Sequence, residues 1–220
     1  NLEGPLSDKG SFLFSARRSY LDFIFNAAGF AFIPEYWDFQ AKADYRLDKN
    51  NSLSFLTIGA LNDVKLNNDN LDNRYDNSRI AVPNQEQYFT GLTWKTLFGS
   101  GFGKITLGRS YTNFETFQND SLLNTLLKNN SREGEVSLKT NFEFKIFEKS
   151  DIQFGNTIKY GSMLDYDIFI DGQYRRDNEG NPHTLAKDTT FNSLKNSTYA
   201  SYTTQFGNHR ITAGGRLDYF

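Results

Sequence analysis

The side chains that could do chemistry are few and scattered. Two histidines, His183 and His209, each stand in turn-like sequence with no second histidine near them. A metal centre or a general base needs such groups to converge. Gly99-Ser100-Gly101-Phe102-Gly103 is glycine-rich, but it joins two strand-like runs, and phosphate-cradling glycine loops open helices instead. Asn67-Asn68-Asp69-Asn70-Leu71-Asp72-Asn73 carries carboxylate and amide oxygens of the kind that ligate calcium. Asp165, Asp167, Asp171 and Asp177-Asn178-Glu179-Gly180-Asn181 do the same. None has the spacing of an EF-hand, so all read as solvated loop residues. No nucleophile elbow, phosphate loop or zinc-type histidine pair is present, which leaves no catalytic residue, no metal site and no cofactor site to assign. The expectation is a protein that is not an enzyme.

Charge and composition point elsewhere. The formal net charge of -2 gives no basic face for nucleic acid. The lack of cysteine excludes a disulfide framework. Aromatics reach 16%, with 21 Phe and 12 Tyr, yet the mean hydropathy is -0.60. Both are satisfied if aromatics alternate with polar residues, as on a sheet with one apolar and one polar face.

The alternation is explicit in the sequence. Val136, Leu138, Thr140, Phe142, Phe144 and Ile146 interleave with Glu135, Ser137, Lys139, Asn141, Glu143 and Lys145. A strand separates these two sets completely, whereas a helix scatters them. Ile152, Phe154, Ile158, Tyr160 and Tyr202 continue the apolar set, with Asn156 as an exception. Lys42, Asp44, Arg46, Lys95, Lys104, Lys159, Arg216 and Asp218 join the polar one. Leu53 to Ala60 is less regular, because Leu56 and Ile58 lie opposite Leu53 and Phe55. Arg17 and Arg18 are adjacent near a strand end, so one must point outward, where it serves as a rim arginine or snorkels to a lipid head group.

The pattern predicts about nine strands, roughly 10–20, 35–48, 52–65, 86–98, 102–114, 132–148, 151–164, 193–206 and 209–220. Short turns at Asp48-Lys49-Asn50-Asn51, Gly99-Ser100-Gly101, Glu148-Lys149-Ser150-Asp151 and Gly207-Asn208 alternate with long polar loops at 66–85, 115–131 and 165–192. Within the second loop, Ser121 to Lys128 suggests a short helix with Leu122, Leu123, Leu126 and Leu127 on one face. Short turns at one end and long loops at the other are the arrangement of an outer-membrane barrel. Phe98, Phe147 and Phe206 beside short turns, and Tyr36, Trp37 and Tyr111 beside long loops, would form its aromatic girdles. The expected fold is all-β, an antiparallel up-and-down transmembrane β-barrel segment over 1–220. An odd number of strands predicts an open sheet with edges near Ser11–Tyr20 and His209–Phe220, a piece of a larger barrel.

Two segments resemble early barrel strands of TonB-dependent outer-membrane receptors, of the type common in Bacteroidetes-like bacteria. One runs through Glu3-Gly4-Pro5-Leu6, Gly10-Ser11-Phe12-Leu13 and Ser15-Ala16-Arg17-Arg18-Ser19-Tyr20-Leu21-Asp22. The other is Tyr36-Trp37-Asp38-Phe39-Gln40-Ala41-Lys42-Ala43-Asp44-Tyr45-Arg46-Leu47. Ile211-Thr212-Ala213-Gly214-Gly215-Arg216-Leu217-Asp218-Tyr219-Phe220 is similar to a further strand of that family. The resemblance implies part of a roughly 22-stranded barrel in the cell outer membrane of a Gram-negative bacterium. It implies as partners outer-membrane lipid, a plug domain, the TonB complex and an extracellular ligand: an iron-siderophore, cobalamin or an oligosaccharide. The competing expectation is a small self-contained outer-membrane barrel with an adhesive or structural role.

Overall fold

The computed structural model describes residues 1–173 and 175–220. Ten strands form one antiparallel sheet in chain order. They are β1 (Leu2–Ser7), β2 (Gly10–Arg18), β3 (Phe32–Arg46), β4 (Asn51–Leu66), β5 (Val82–Phe98), β6 (Gly101–Asn119), β7 (Thr125–Phe147), β8 (Ser150–Ile170), β9 (Leu185–Phe206) and β10 (His209–Tyr219). Two short helices, α1 (Leu21–Ala27) and α2 (Leu71–Ser78), lie in connections. No described helix is long and apolar enough to cross a membrane.

The strand beyond the expected nine is β1. It contains Gly4 and Pro5, and proline is tolerated on an edge strand, where one side donates to nothing. β1 pairs only with β2, with Leu2 opposite Phe14 and Pro5 opposite Ser11. The first edge is therefore Leu2–Ser7, not Ser11–Tyr20, and the odd strand count is corrected to an even one. The second edge is β10, as expected. β1 and β10 do not pair, so the sheet is open. That pairing is what a self-contained barrel of these strands would require.

The connections sort by length. The β1–β2, β3–β4, β5–β6, β7–β8 and β9–β10 turns are short and lie at one end. The longer connections, with α1 and α2, lie at the other. The strands run further toward that end than the polar sequence suggested: β6 reaches Asn119 and β7 begins at Thr125. The expected helix at Ser121–Lys128 is instead a tight turn leading into β7. Asp120 accepts hydrogen bonds from the backbone N–H of Leu122 and Asn124 and from the Asn124 amide. Leu123 takes a left-handed φ of 68°, which no helix accommodates. Asp48 and Asp177 organise their turns similarly, with Asn51 and Asn181. Hydrogen bonds, led by those from Asn124, Asn50 and Asn181 respectively, hold Asp120, Asp48 and Asp177 below the ordinary carboxyl pKa.

The sheet has almost no core of its own. Among the described residues only Val82 and Leu126 are buried apolar side chains. Packing is confined to the two faces, where aromatic rings lie over glycines, a device that restores lost contact area to a sheet. A Cβ on Gly103 would meet the Phe142 ring at 2.7 Å and the Phe98 ring at 3.4 Å. On Gly59 it would run into the Phe39 ring, while on Gly215 it would meet nothing within 4 Å. Gly59→Val should therefore lower refolding stability in lipid by about 1–3 kcal/mol through overpacking. Gly215→Ala should change it by no more than about 0.5 kcal/mol. Urea titration of both variants checks this, and equal effects would remove the ring-over-glycine account.

Candidate functional site

The ladders fix which residues share a face. From β2 to β7 the register runs without a break between Phe12 and Gln118. Phe12, Phe14, Phe39, Phe55, Leu92, Trp94, Leu107, Leu138, Phe142 and Phe144 fall together by that pairing. Ile152, Phe154, Ile158, Tyr160 and Tyr202 join them across β8 and β9. This is the Phe142 face. The opposite, Lys139 face receives every charged residue grouped on the polar side of the sequence. Ion pairs there include Lys42–Asp44 at 2.7 Å, Lys159–Glu135 at 2.9 Å and Arg216–Asp218 at 2.9 Å. Leu56 and Ile58, irregular in the pattern, lie with Phe89 on the Lys139 face.

The apolar run on the Phe142 face is bounded at both ends. On β3 it extends from Trp37 to Tyr45, on β4 from Leu53 to Leu61, on β5 from Tyr88 to Phe98 and on β8 from Ile152 to Tyr160. These runs are about nine to eleven residues long, the span of a tilted membrane strand. At ~3.4 Å per residue and a tilt of ~40°, they give a band about 21–26 Å high. At its loop-side edge the Tyr88 and Tyr111 rings stack at 5.4 Å, and the Arg18 guanidinium sits 5.4 Å over Trp37. Tyr36 departs from expectation: as the neighbour of Trp37 on β3, it faces the Lys139 side and belongs to no girdle. Arg17 and Arg18 diverge in the same way. Arg17 pairs with Asp38 at 2.8 Å on the Lys139 face, while Arg18 bonds to Asp22 of α1.

Just inside this edge Arg109 shares the Phe142 face with Leu107 and Tyr111, and beyond it the face becomes charged. Lys65 pairs with Glu35 at 2.6 Å, Lys128 with Asp167 at 2.6 Å and Arg132 with Asp165 at 3.1 Å. Hydrogen bonds to Glu35 and Asp167 hold the Lys65 and Lys128 ammonium groups above the ordinary lysine pKa. Most strands make the change by composition. β8 makes it by geometry. Glu135 pairs with Gly161, but Gly134 pairs with Met163. On the other flank Gly161 pairs with Ser193, and Leu164 with Phe191. One extra residue near Ser162 bulges β8 while β7 and β9 run straight through. A one-residue slip moves every later side chain to the other face. Leu164, Tyr166, Ile168 and Ile170 continue the sequence period of Ile158 and Tyr160, yet they sit on the Lys139 face. Contacts agree: Tyr166 donates to Glu133 at 2.7 Å and stacks on Phe191 at 5.6 Å. Asp165, now on the Phe142 face, accepts from Thr190 at 2.8 Å. Placing 165–192 wholly in a loop missed this; the signal was the unbroken apolar period through Ile170.

A hollow of about 440 Å³ opens on the Lys139 face, lined by Arg17, Asp38, Gln40, Ile58, Gln87 and Thr112 among others. The loop oxygens considered for calcium are engaged locally. Asn70 caps α2 by accepting from the Asn73 N–H, and Asn77 donates to the Asn67 carbonyl and the Asn68 side chain. Asp171 accepts from the Gln173 N–H. Among the described residues no three His, Cys, Asp or Glu side chains gather as a metal site. His183 lies in the 171–184 connection, and His209 opens β10.

No protein-family model and no curated protein matches the chain. Solved structures do. The chain is similar to a mutant of the ferric enterobactin receptor PfeA of Pseudomonas aeruginosa, with a TM-score of 0.68 and 11% identity over 98% of this chain and 35% of that one. It is also similar to the outer membrane transporter YddB of Escherichia coli, with a TM-score of 0.57 and 11% identity over 99% of this chain and 33% of that one. The chain thus spans about a third of the length of the structures it matches. At this identity the likeness establishes the fold: an antiparallel sheet arranged as in an outer-membrane barrel wall.

The bulge gives a direct test. Deleting Ser162 should leave the partners of β8 unchanged, because the shortened strand then alternates regularly through the same pairs, with Leu164 and Tyr166 still on the Lys139 face. Cysteines replacing Ser131 and Tyr166, which lie opposite each other, should therefore form a disulfide with or without Ser162. Loss of that cross-link on deletion would mean that Ser162 is not the extra residue.

Proposed function

We propose that residues 1–220 form one partial barrel unit of a TonB-dependent outer-membrane receptor that imports a nutrient in a Gram-negative bacterium. The carrying observation is the apolar band. It has the height of a bilayer's hydrocarbon, aromatics along its edges and charge beyond them. The Phe142 face meets lipid in this reading, and the Lys139 face lines a lumen that holds a plug domain. Its mixed charges suit salt bridges and hydrogen bonds to that plug, whose movement the TonB complex drives. The long connections and the strand extensions stand outside the cell, where a ligand is captured. The likeness to a ferric enterobactin receptor and an outer membrane transporter supports this assignment. The imported ligand belongs to the range of iron-siderophores, cobalamin and oligosaccharides, and the reading involves no catalytic step.

Two measurements test it. Phe142→Arg, near the band's midplane, should cost about 2–4 kcal/mol on refolding into bilayers, while Asn141→Arg on the opposite face should be mild. Comparable losses at both positions would contradict the assignment of lipid and lumen. Protease added to intact cells should cut first in the 67–81 and 171–184 connections, because exposed polar loops are the preferred sites. Cutting that requires a broken outer membrane would reverse the orientation.

A further inference from the structure

On the Lys139 face just beyond the band, one row of side chains runs along the hydrogen-bonding direction through seven strands. Tyr36 pairs with Asn62, Asn62 with Gln85, Gln85 with Phe114, Phe114 with Ser131, Ser131 with Tyr166 and Tyr166 with Thr189. Every member is uncharged. Aromatics stand on β3, β6 and β8, and the positions between them carry amides or hydroxyls. With strands ~4.8 Å apart, the rings are about 14 Å and about 10 Å from one another. The β8 bulge is what brings Tyr166 into the row.

We propose that this row is a binding path for a linear, neutral oligosaccharide, a proposal that rests on the receptor reading above. The C–H face of a sugar ring packs on an aromatic side chain, and its hydroxyls exchange hydrogen bonds with amide and hydroxyl groups. Each strand spacing is close to the length that one sugar unit adds to a chain, so a chain laid along the row passes from ring to ring, with Ser131 buried beneath it between Phe114 and Tyr166. Tyr36 is 40% exposed, and Phe191, stacked on Tyr166, is 49% exposed; both are accessible as platforms. Glu133, in the flanking row, is occupied by the Tyr166 hydroxyl. That hydrogen bond holds the phenol above its ordinary pKa. An anionic iron chelate or a phosphorylated ligand calls for a cluster of arginines or lysines, and this row has none.

The test uses the full protein extracted from its outer membrane in detergent. Calorimetry measures binding of three neutral hexasaccharides, an α-1,4-glucan, a β-1,4-glucan and an α-mannan, against a ferric tris-catecholate complex. At least one hexasaccharide should bind. Tyr166→Ala and Phe114→Ala should each weaken it about tenfold or more, whereas Tyr166→Phe, which keeps the ring, should stay within a few-fold. If Tyr166→Ala loses its folded, heat-modifiable gel mobility, Phe114→Ala and Tyr36→Ala decide. Failure of all three hexasaccharides to bind, indifference to loss of the rings, or capture of the ferric complex by the same residues would each overturn the proposal. A Gln85→Cys variant on intact cells separates this outcome from failure of the receptor reading. Labelling by a water-soluble maleimide keeps the receptor orientation even if no sugar binds; loss of labelling overturns the orientation itself.

Discussion

A sheet one layer thick has no interior, and everything else in this structure follows from what must cover its two faces. Burial elsewhere in proteins comes from stacking layers, which removes apolar surface from water at about 25 cal/mol per Å². Here Val82 and Leu126 are the only buried apolar residues among those described. Phenylalanines, leucines and tryptophans along all ten strands stay uncovered by protein. In the proposed reading a hydrocarbon medium covers the Phe142 face, and such a medium carries a second demand: each N–H and C=O within it must find a partner. The unbroken ladders between β2 and β7 meet that demand through the band.

The pleat then does the sorting. Because side chains alternate with a period of two, satisfying the backbone ladder also decides which medium each side chain meets. Lys139 and Phe142 need no specific contact to be separated; their odd and even positions on β7 suffice. Glycines mark where the two requirements meet. Gly59 and Gly103 give up side chains that the neighbouring Phe39 and Phe142 rings replace, keeping the apolar surface continuous without crowding the strands.

Much of this was legible in the residues. Alternation on β7 and β8, the sorted turns and the two-sided charge set all came from periodicity, which a strand expresses directly. The candidate wall beyond the band was less legible for two physical reasons. Composition there changes while the period does not: Arg132, Asn130 and Lys128 occupy positions in line with Val136 and Leu138, so polar sequence at 115–131 resembled a loop although it was strand. β1 falls outside the strand count read from the residues because Gly4 and Pro5 lower local strand propensity, and local propensity contains no information about being an edge. The Leu122-Leu123-Leu126-Leu127 set matched a helix face, but Asp120 and Asn124 captured the local N–H groups first and closed a turn.

The β8 bulge shows why a strand crossing a boundary between media faces a choice. In the proposed reading the Phe142 face meets an apolar medium below the boundary and water above it. β7 keeps its register and exchanges residue types, from Val136 to Arg132. β8 keeps its residue types and exchanges register, because one extra residue at Ser162 carries Leu164, Tyr166 and Ile168 off the water-facing side and brings Asp165 and Asp167 onto it. The two solutions meet as ion pairs, Arg132 with Asp165 and Lys128 with Asp167. The bulge therefore does more than adjust twist: it couples the charged exterior of β7 and β8 to an aromatic interior, and the price of one unpaired residue is borne at the rim, where Ser162 is exposed and water can satisfy its backbone.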